Sequence, residues 1–362
     1  MLRAALCFVL ALVTGTAQTF PSENWESASP AESVGYRTNR LAAIRPFLET
    51  LDTTAMVVVS RGKVVFEYGD LKTVSYLASC RKSVLAMLYG NYVQSGKVQL
   101  NKTIGDLGID DEGGLLPIEK TATVEHLLTA RSGVYHQASN AGDALGSAPP
   151  RGSQKPGTYQ LYSNWDFNAA GTAFEKMTGR DIYEALESDL VRPIGMQDFD
   201  RALHKKSGDL SKSLHPAYHM HFSTRDMARL GYLMLRKGNW NGKQLVPEEW
   251  TRKITSLVTP VIDLNPRSAT NGFASGTLWG YGYMWWPWDD HQREGPFRGA
   301  YSARGAVGQY IVVLPALDTV VAHKTVPGRH PDGSARGVSG QDFQTVLAMI
   351  ASAYCGQCGR TQ

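Results

Sequence analysis

The chain reads as a mixed α/β protein of the α+β kind: an antiparallel sheet built from both chain ends, flanked by helices, with an inserted helical lobe. Three observations predict this. Two β-branched runs, 55–60 and 63–68, flank Arg61-Gly62, a turn pair suited to a hairpin. Near the other end, 281–286, 308–314 and 319–323 return to strand-like patterns. The stretch between them carries helical periodicities stopped by glycine or proline. Strands at both ends around a helical middle suit a sheet closed by the two termini.

The elements follow in order. Met1-Leu2-Arg3 is a short basic start, Ala4 to Val13 is apolar, and Gly15-Thr16-Ala17 offers small residues at a cleavable position. Residues 1–17 therefore read as a signal peptide, and the mature protein as exported, periplasmic or secreted. The apolar run is shorter than the roughly 20 residues a membrane-spanning helix needs. The remaining 18–362 reads as one large domain, with its sheet part at about 35–100 and 265–355 and its helical lobe at about 101–264.

Residues 41–51 suggest an amphipathic helix, and Ser79 to Val93 a buried one. Further helices are expected over 123–130, 168–177, 181–190, 223–237, 247–256 and 340–354, with a Gly/Pro-rich surface loop over 140–157. With 43% hydrophobic and 19% charged residues, the chain is neither disordered nor a coiled coil. Its net charge of +4 is scattered, which argues against a nucleic-acid partner. Cys355 and Cys358 form one C-x-x-C, suited to a local disulfide in an oxidising compartment, while Cys80 suits a small buried position.

Three short segments carry the candidate chemistry. In Ser79-Cys80-Arg81-Lys82, positions three apart share a helix face, so hydroxyl and amine can meet. A serine needs a base, and a lysine serves once burial lowers its pKa. In Tyr162-Ser163-Asn164, the tyrosine can relay a proton and the asparagine can bond both a substrate carbonyl and the lysine. In Ala303-Arg304-Gly305-Ala306, small residues on an edge strand can offer backbone N–H groups to an oxyanion. Each segment is common by itself; their order gives them weight.

Together they resemble the serine β-lactamase-like family of class C β-lactamases, D-alanyl-D-alanine carboxypeptidases, esterases and 6-aminohexanoate-dimer hydrolases. Leu127–Gly133, Arg192–Met196, Ser223–Gly231, Gly280–Tyr283 and the pair 308–315 and 318–322 look like family segments in the same order. The resemblance implies a β-lactamase/transpeptidase-like fold and an amide- or ester-cleaving enzyme with an acyl-Ser79 intermediate. Lys82 and Tyr162 would be its general base and acid. Asn164, Arg304, Gly305 and Ala306 would bind substrate, with the Ser79 and Ala306 N–H groups as oxyanion hole.

Ala303-Arg304-Gly305 departs from the Lys-Thr-Gly or His-x-Gly that many members carry there, so the usual cation is missing from its usual place. Lys324-Thr325-Val326 lacks the glycine and reads as a decoy. The departure, with Met284-Trp285-Trp286, favours the esterase and aminohexanoate-oligomer side. A class C β-lactamase or carboxypeptidase is the alternative, and a catalytically silent penicillin-binding or acyl-ligand-binding protein is the alternative of another class.

The expected partner is a small or short-peptide-like acyl substrate, with no cofactor or metal and no membrane span in the mature chain. His215, His219 and His221 cluster before a helix and could bind a metal, but the pattern favours satisfied loop contacts. Tyr135-His136 suits either the cleft or loop packing, and Trp285, Trp286 and Trp288 suit core and cleft wall.

Overall fold

The computed structural model describes residues 18–265, 278–289 and 294–358. The signal-peptide reading of residues 1–17 lies outside these. The main sheet has seven strands: β1 (Glu26–Ser27), β2 (Ala55–Ser60), β3 (Lys63–Gly69), β4 (Trp286–Pro287), β5 (Tyr301–Gly305), β6 (Gln309–Leu314) and β7 (Thr319–Lys324). Their order is β1-β3-β2-β7-β6-β5-β4, so both chain ends do build one sheet. All pairings are antiparallel except β1 on β3, which is parallel.

The hairpin between β2 and β3 turns where expected. Arg61 and Gly62 both take positive φ, 51° and 81°, the backbone a two-residue primed turn requires. Every residue of β2, β6 and β7 is buried, because helices cover both faces of the sheet. On one face lies α3 (Thr224–Leu235), capped by Ser223, whose Oγ accepts the Asp226 N–H. Gly231 sits where any Cβ would come 2.5 Å from Val320 and 2.8 Å from Ile311, so only glycine lets α3 approach this closely. On the other face lies α4 (Gly340–Ala353), where Phe343 stacks on Tyr310 with ring centroids 4.1 Å apart.

Beyond the sheet face, α1 (Cys80–Gln94) is buried along Cys80–Gly90 and lies between the strands β5 and β6 and the helix α2 (Asn164–Thr178). This central placement explains why the helix lacks a polar face.

Several expectations need correction. The helix expected over 41–51 is two short ones, Thr38–Ala42 and Ile44–Leu48. That expected from 168 begins at Asn164, because Ser163 caps it with its Oγ on the Trp165 N–H. The helix expected to stop before Pro193 runs on as a π-turn, Glu187–Val191, into Arg192–Ile194. Pro193 follows directly on the π-turn, where the regular i→i−4 ladder is already interrupted, so its missing N–H removes no regular helical bond. Only Trp286–Pro287 of the strand expected over 281–286 joins the sheet; Tyr281 bridges to Thr259 instead. Finally, α3 falls within the expected helical lobe yet packs on β2, β6 and β7, since its apolar face needs the sheet to cover it.

Candidate active site

Ser79 stands at the N-cap of α1, in helical backbone geometry, and its side chain caps nothing. Its hydroxyl is therefore free for other use. The chain reaches it through Ala78, whose φ of +49° is a strained value for a residue with a Cβ. Packing holds this kink: Leu77 N–H donates to Met220 O (2.9 Å), and Gly305 at the end of β5 abuts the same turn. A Cβ on Gly305 would lie 2.9 Å from Leu77 O and 3.1 Å from the Ala78 Cβ. The Cys80 thiol donates to Gln309 O (3.2 Å), tying the start of α1 to β6.

Lys82 is 1% exposed, and three groups converge on its Nζ. Ser79 Oγ is 3.0 Å away, Tyr162 Oη 2.7 Å and Asn164 Oδ1 2.7 Å. The amine also lies 4.3 and 4.4 Å from the ring centroids of Tyr162 and Phe167. Burial, and next the neighbouring Arg81, hold its pKa well below the ordinary lysine range, while Asp143 pulls the other way. Burial pushes the Tyr162 hydroxyl up, so it is a protonated phenol at neutral pH. Both shifts run toward the uncharged forms, an amine beside a phenol.

Tyr162 is wedged among Phe167, Trp286 and Tyr281, with centroids at 4.8, 5.7 and 6.1 Å. Trp285 and Trp286 are buried, and Trp285 Nε1 donates to Ser83 O in α1 (3.2 Å), so the aromatic run forms core and cleft wall together. Asn164 has both ends of its amide engaged inside the protein. Its Oδ1 takes the Lys82 N–H, and its Nδ2 donates to Ala141 O at 3.0 Å. Nδ2 carries two hydrogens, and Ala141 O takes one of them, which leaves the second for a substrate carbonyl.

Among the described residues, the Ser79 and Ala306 N–H groups donate to no acceptor. The pairing of β4 with β5 ends at Ser302, so Ala303–Gly305 keep a free edge even though β5 is not the outermost strand. Arg304 is placed differently from the others. Register sets it opposite Tyr310, on the sheet face covered by α4, whereas Gly305 faces the turn into Ser79. Its guanidinium is enclosed by Trp279, Trp286 and Tyr310, with centroids 5.8, 5.9 and 5.7 Å away. No hydrogen bond links it to Ser79, Lys82, Tyr162 or Asn164 among the described residues.

Other candidates have local duties. Lys324 is buried and donates to Ser75 O (2.8 Å) and Phe222 O (2.5 Å). His215 contacts Thr172 and Asp110 O, while His219 meets Tyr76, so the three histidines do not converge. Among the described residues no His, Cys, Asp or Glu cluster is placed to hold a metal. His136 is taken up by the carbonyls of Glu112 and Gln137, and Cys355 and Cys358 are paired as a disulfide.

Sequence reasoning missed three neighbours of Lys82: Arg81, Asp143 and Phe167. Only Arg81 left a signal, as a cation entering an otherwise apolar helix.

Residues 42–330 match the sequence profile of the Beta-lactamase family. An uncharacterized protein of Alkalihalophilus pseudofirmus is 26% identical over 278 residues, covering 72% of this chain and 76% of its own. Among solved structures, a Bacillus anthracis protein assigned as a 6-aminohexanoate-dimer hydrolase superposes with a TM-score of 0.63 at 19% identity. That match covers 92% of this chain and 88% of the other. A family VIII carboxylesterase superposes with a TM-score of 0.61 at 12% identity, covering 91% and 99%. At these identities the two structures speak for the fold.

Proposed function

The chain belongs to the Beta-lactamase family, and on that premise we propose that it is a serine hydrolase that opens an amide or ester bond through an acyl-Ser79 intermediate. The observation that carries this reading is the convergence of Ser79, Tyr162 and Asn164 on one buried lysine nitrogen. A neutral amine has two N–H donors and one lone pair. Asn164 Oδ1 can only accept, so it takes one N–H and thereby turns the lone pair toward the hydroxyls.

In the proposed cycle, Lys82 removes the Ser79 proton as Oγ attacks the substrate carbonyl carbon. The Ser79 and Ala306 N–H groups receive the negative charge that develops on the carbonyl oxygen. Tyr162 passes a proton to the leaving amine or alcohol and is reprotonated from Lys82, so the acyl-enzyme forms with no net change in protons. Water then attacks the ester carbonyl and gives a proton to Tyr162, which passes its own to Lys82, and Lys82 protonates the departing Ser79 Oγ.

Ala303 supplies no charge on the free edge beside Ser79, and Arg304 lies on the other face of the strand. Neutral acyl groups, in esters and linear amides, therefore suit the site better than substrates that need a carboxylate anchor. This agrees with the esterase and the aminohexanoate-dimer hydrolase among the structural neighbours. We also propose export, on the strength of residues 1–17; no described helix is long and apolar enough to cross a membrane.

A fluorophosphonate probe tests the core of the proposal. One label per chain is expected, on Ser79, and none on Ser79→Ala; equal labelling of the two proteins sinks it. Turnover of p-nitrophenyl esters, short ω-amino-acid amides and nitrocefin then ranks the substrates, with nitrocefin expected last. A stable acyl-enzyme without turnover on all three would favour a binding protein instead.

A further inference from the structure

Arg81 is the most deeply buried arginine near the site, at 2% exposure, and it immediately precedes Lys82 in α1. Its guanidinium carbon lies 4.5 Å from the Tyr218 ring centroid, a packing that fixes the group without neutralising it. No carboxylate pairs with it among the described residues, and its Nε and Nη1 find no acceptor there. Arginine stays charged in proteins, so a full positive charge is held in a dry region beside a second basic group. Buried charges are ordinarily paired, because an unpaired one is costly to desolvate. Such an arrangement calls for an explanation.

We infer that Arg81 is a positioning residue for acylation: its uncompensated charge, one residue before Lys82, holds that lysine in the free-amine form that can take the Ser79 proton. The inference rests on the acyl-serine reading above. Burial is the larger cause, and among the groups facing Lys82 few others add to it. Along α1, Cys80 is a thiol kept neutral by burial. From the segment entering α2, Tyr162 and Asn164 are neutral, and Asp166 is turned to Ser132, with burial pushing its carboxyl far up. Tyr281 and Tyr218, packed behind, are also neutral phenols. From β5, Ala303 and Gly305 are uncharged.

Asp143 alone acts in the opposite sense, and its two oxygens are held by the N–H groups of Asn164 and Leu145. Next to Arg81 itself, the hydroxyls of Tyr183 and Tyr218 are uncharged, and burial lowers His219 to about 4, so it too is neutral. Asp143 aside, no counter-ion among the described residues stands against the charge of Arg81. Two buried cations on successive residues disfavour one another, and the lysine is the one that can give up its proton.

The experiment is the pH dependence of fluorophosphonate labelling at Ser79, followed as a first-order rate so that only folded molecules report. Wild type should show an acid limb that disappears in Lys82→Ala. In Arg81→Met, which keeps length and removes charge, the limb should move up by about one pH unit or more. In Arg81→Lys it should stay within about 0.3 unit of wild type. Coincident limbs for wild type and Arg81→Met overturn the inference while leaving acylation intact. So does a limb that survives Lys82→Ala. Failure of wild type to label at all overturns the reading beneath it. Thermal unfolding of each variant separates a lost fold, which lowers the labelled amount, from a moved limb.

Discussion

Lys82 and Lys324 are a matched pair of buried lysines, each 1% exposed, in different surroundings. Burial lowers both, Lys324 to about 7. The difference lies in what surrounds the nitrogen. Lys82 faces two hydroxyls and an amide oxygen from side chains, groups that can exchange protons with it or aim its lone pair. Lys324 faces the backbone carbonyls of Ser75 and Phe222, which only accept. They tie β7 to the short ribbon of Ser75–Tyr76 and His221–Phe222 that precedes the nucleophile. A lowered lysine pKa is thus no sign of catalysis by itself; the partners decide.

Substitutions can break or sharpen this contrast. The largest effect is expected for Lys82→Ala, which should lower kcat/KM for an activated ester by on the order of 10³-fold or more while the protein stays folded. Steady-state kinetics with a circular-dichroism control would check it. Next, Tyr162→Phe keeps the ring packing and removes the proton relay, so a fall of on the order of 10²-fold is expected, mostly in kcat. If Tyr162→Phe matched wild type, Lys82 would be acting without it and the pairing would need redrawing.

The mildest change in rate belongs to Lys324→Met. Activity should stay within about threefold, because no reacting group touches Lys324, but two buried carbonyls lose their donor at a cost of about 1–3 kcal/mol. The contrast collapses if this variant loses acylation as Lys82→Ala does.

Lys324 also carries a pH signature. Its folded pKa, about 7, lies below the unfolded value of 10.5. Between these values the unfolded chain binds the proton and the folded chain does not, so stability rises with pH. Relative to Lys324→Met, wild type should gain up to about 1.4 kcal/mol per pH unit between pH 7 and 10, and lose that advantage as pH falls toward 7. Denaturant titrations at several pH values would show it; a difference flat in pH would mean the amine is charged in both states.

Much of this was legible in the residues themselves. Helix periodicity is local, so the spacing of Ser79 and Lys82 already placed hydroxyl and amine on one face. The β2–β3 hairpin followed from Arg61-Gly62, and the sheet from strands at both termini, because turn chemistry and alternation act over a few residues.

What tertiary structure alone decided depends on partners far along the chain. Tyr162 and Asn164 reach Lys82 across 80 and 82 positions, and Lys324 reaches Ser75 across 249. No local pattern distinguishes two lysines whose environments are assembled from such distances. The same holds for Arg304, expected among the substrate-binding residues, which register puts on the face away from Gly305. It holds for Arg81, whose lack of a counter-ion is a property of everything packed around it. Sequence paired Ser79 with Lys82 because their geometry is helical; burial and long-range packing, which set charge and direction, belonged to the fold.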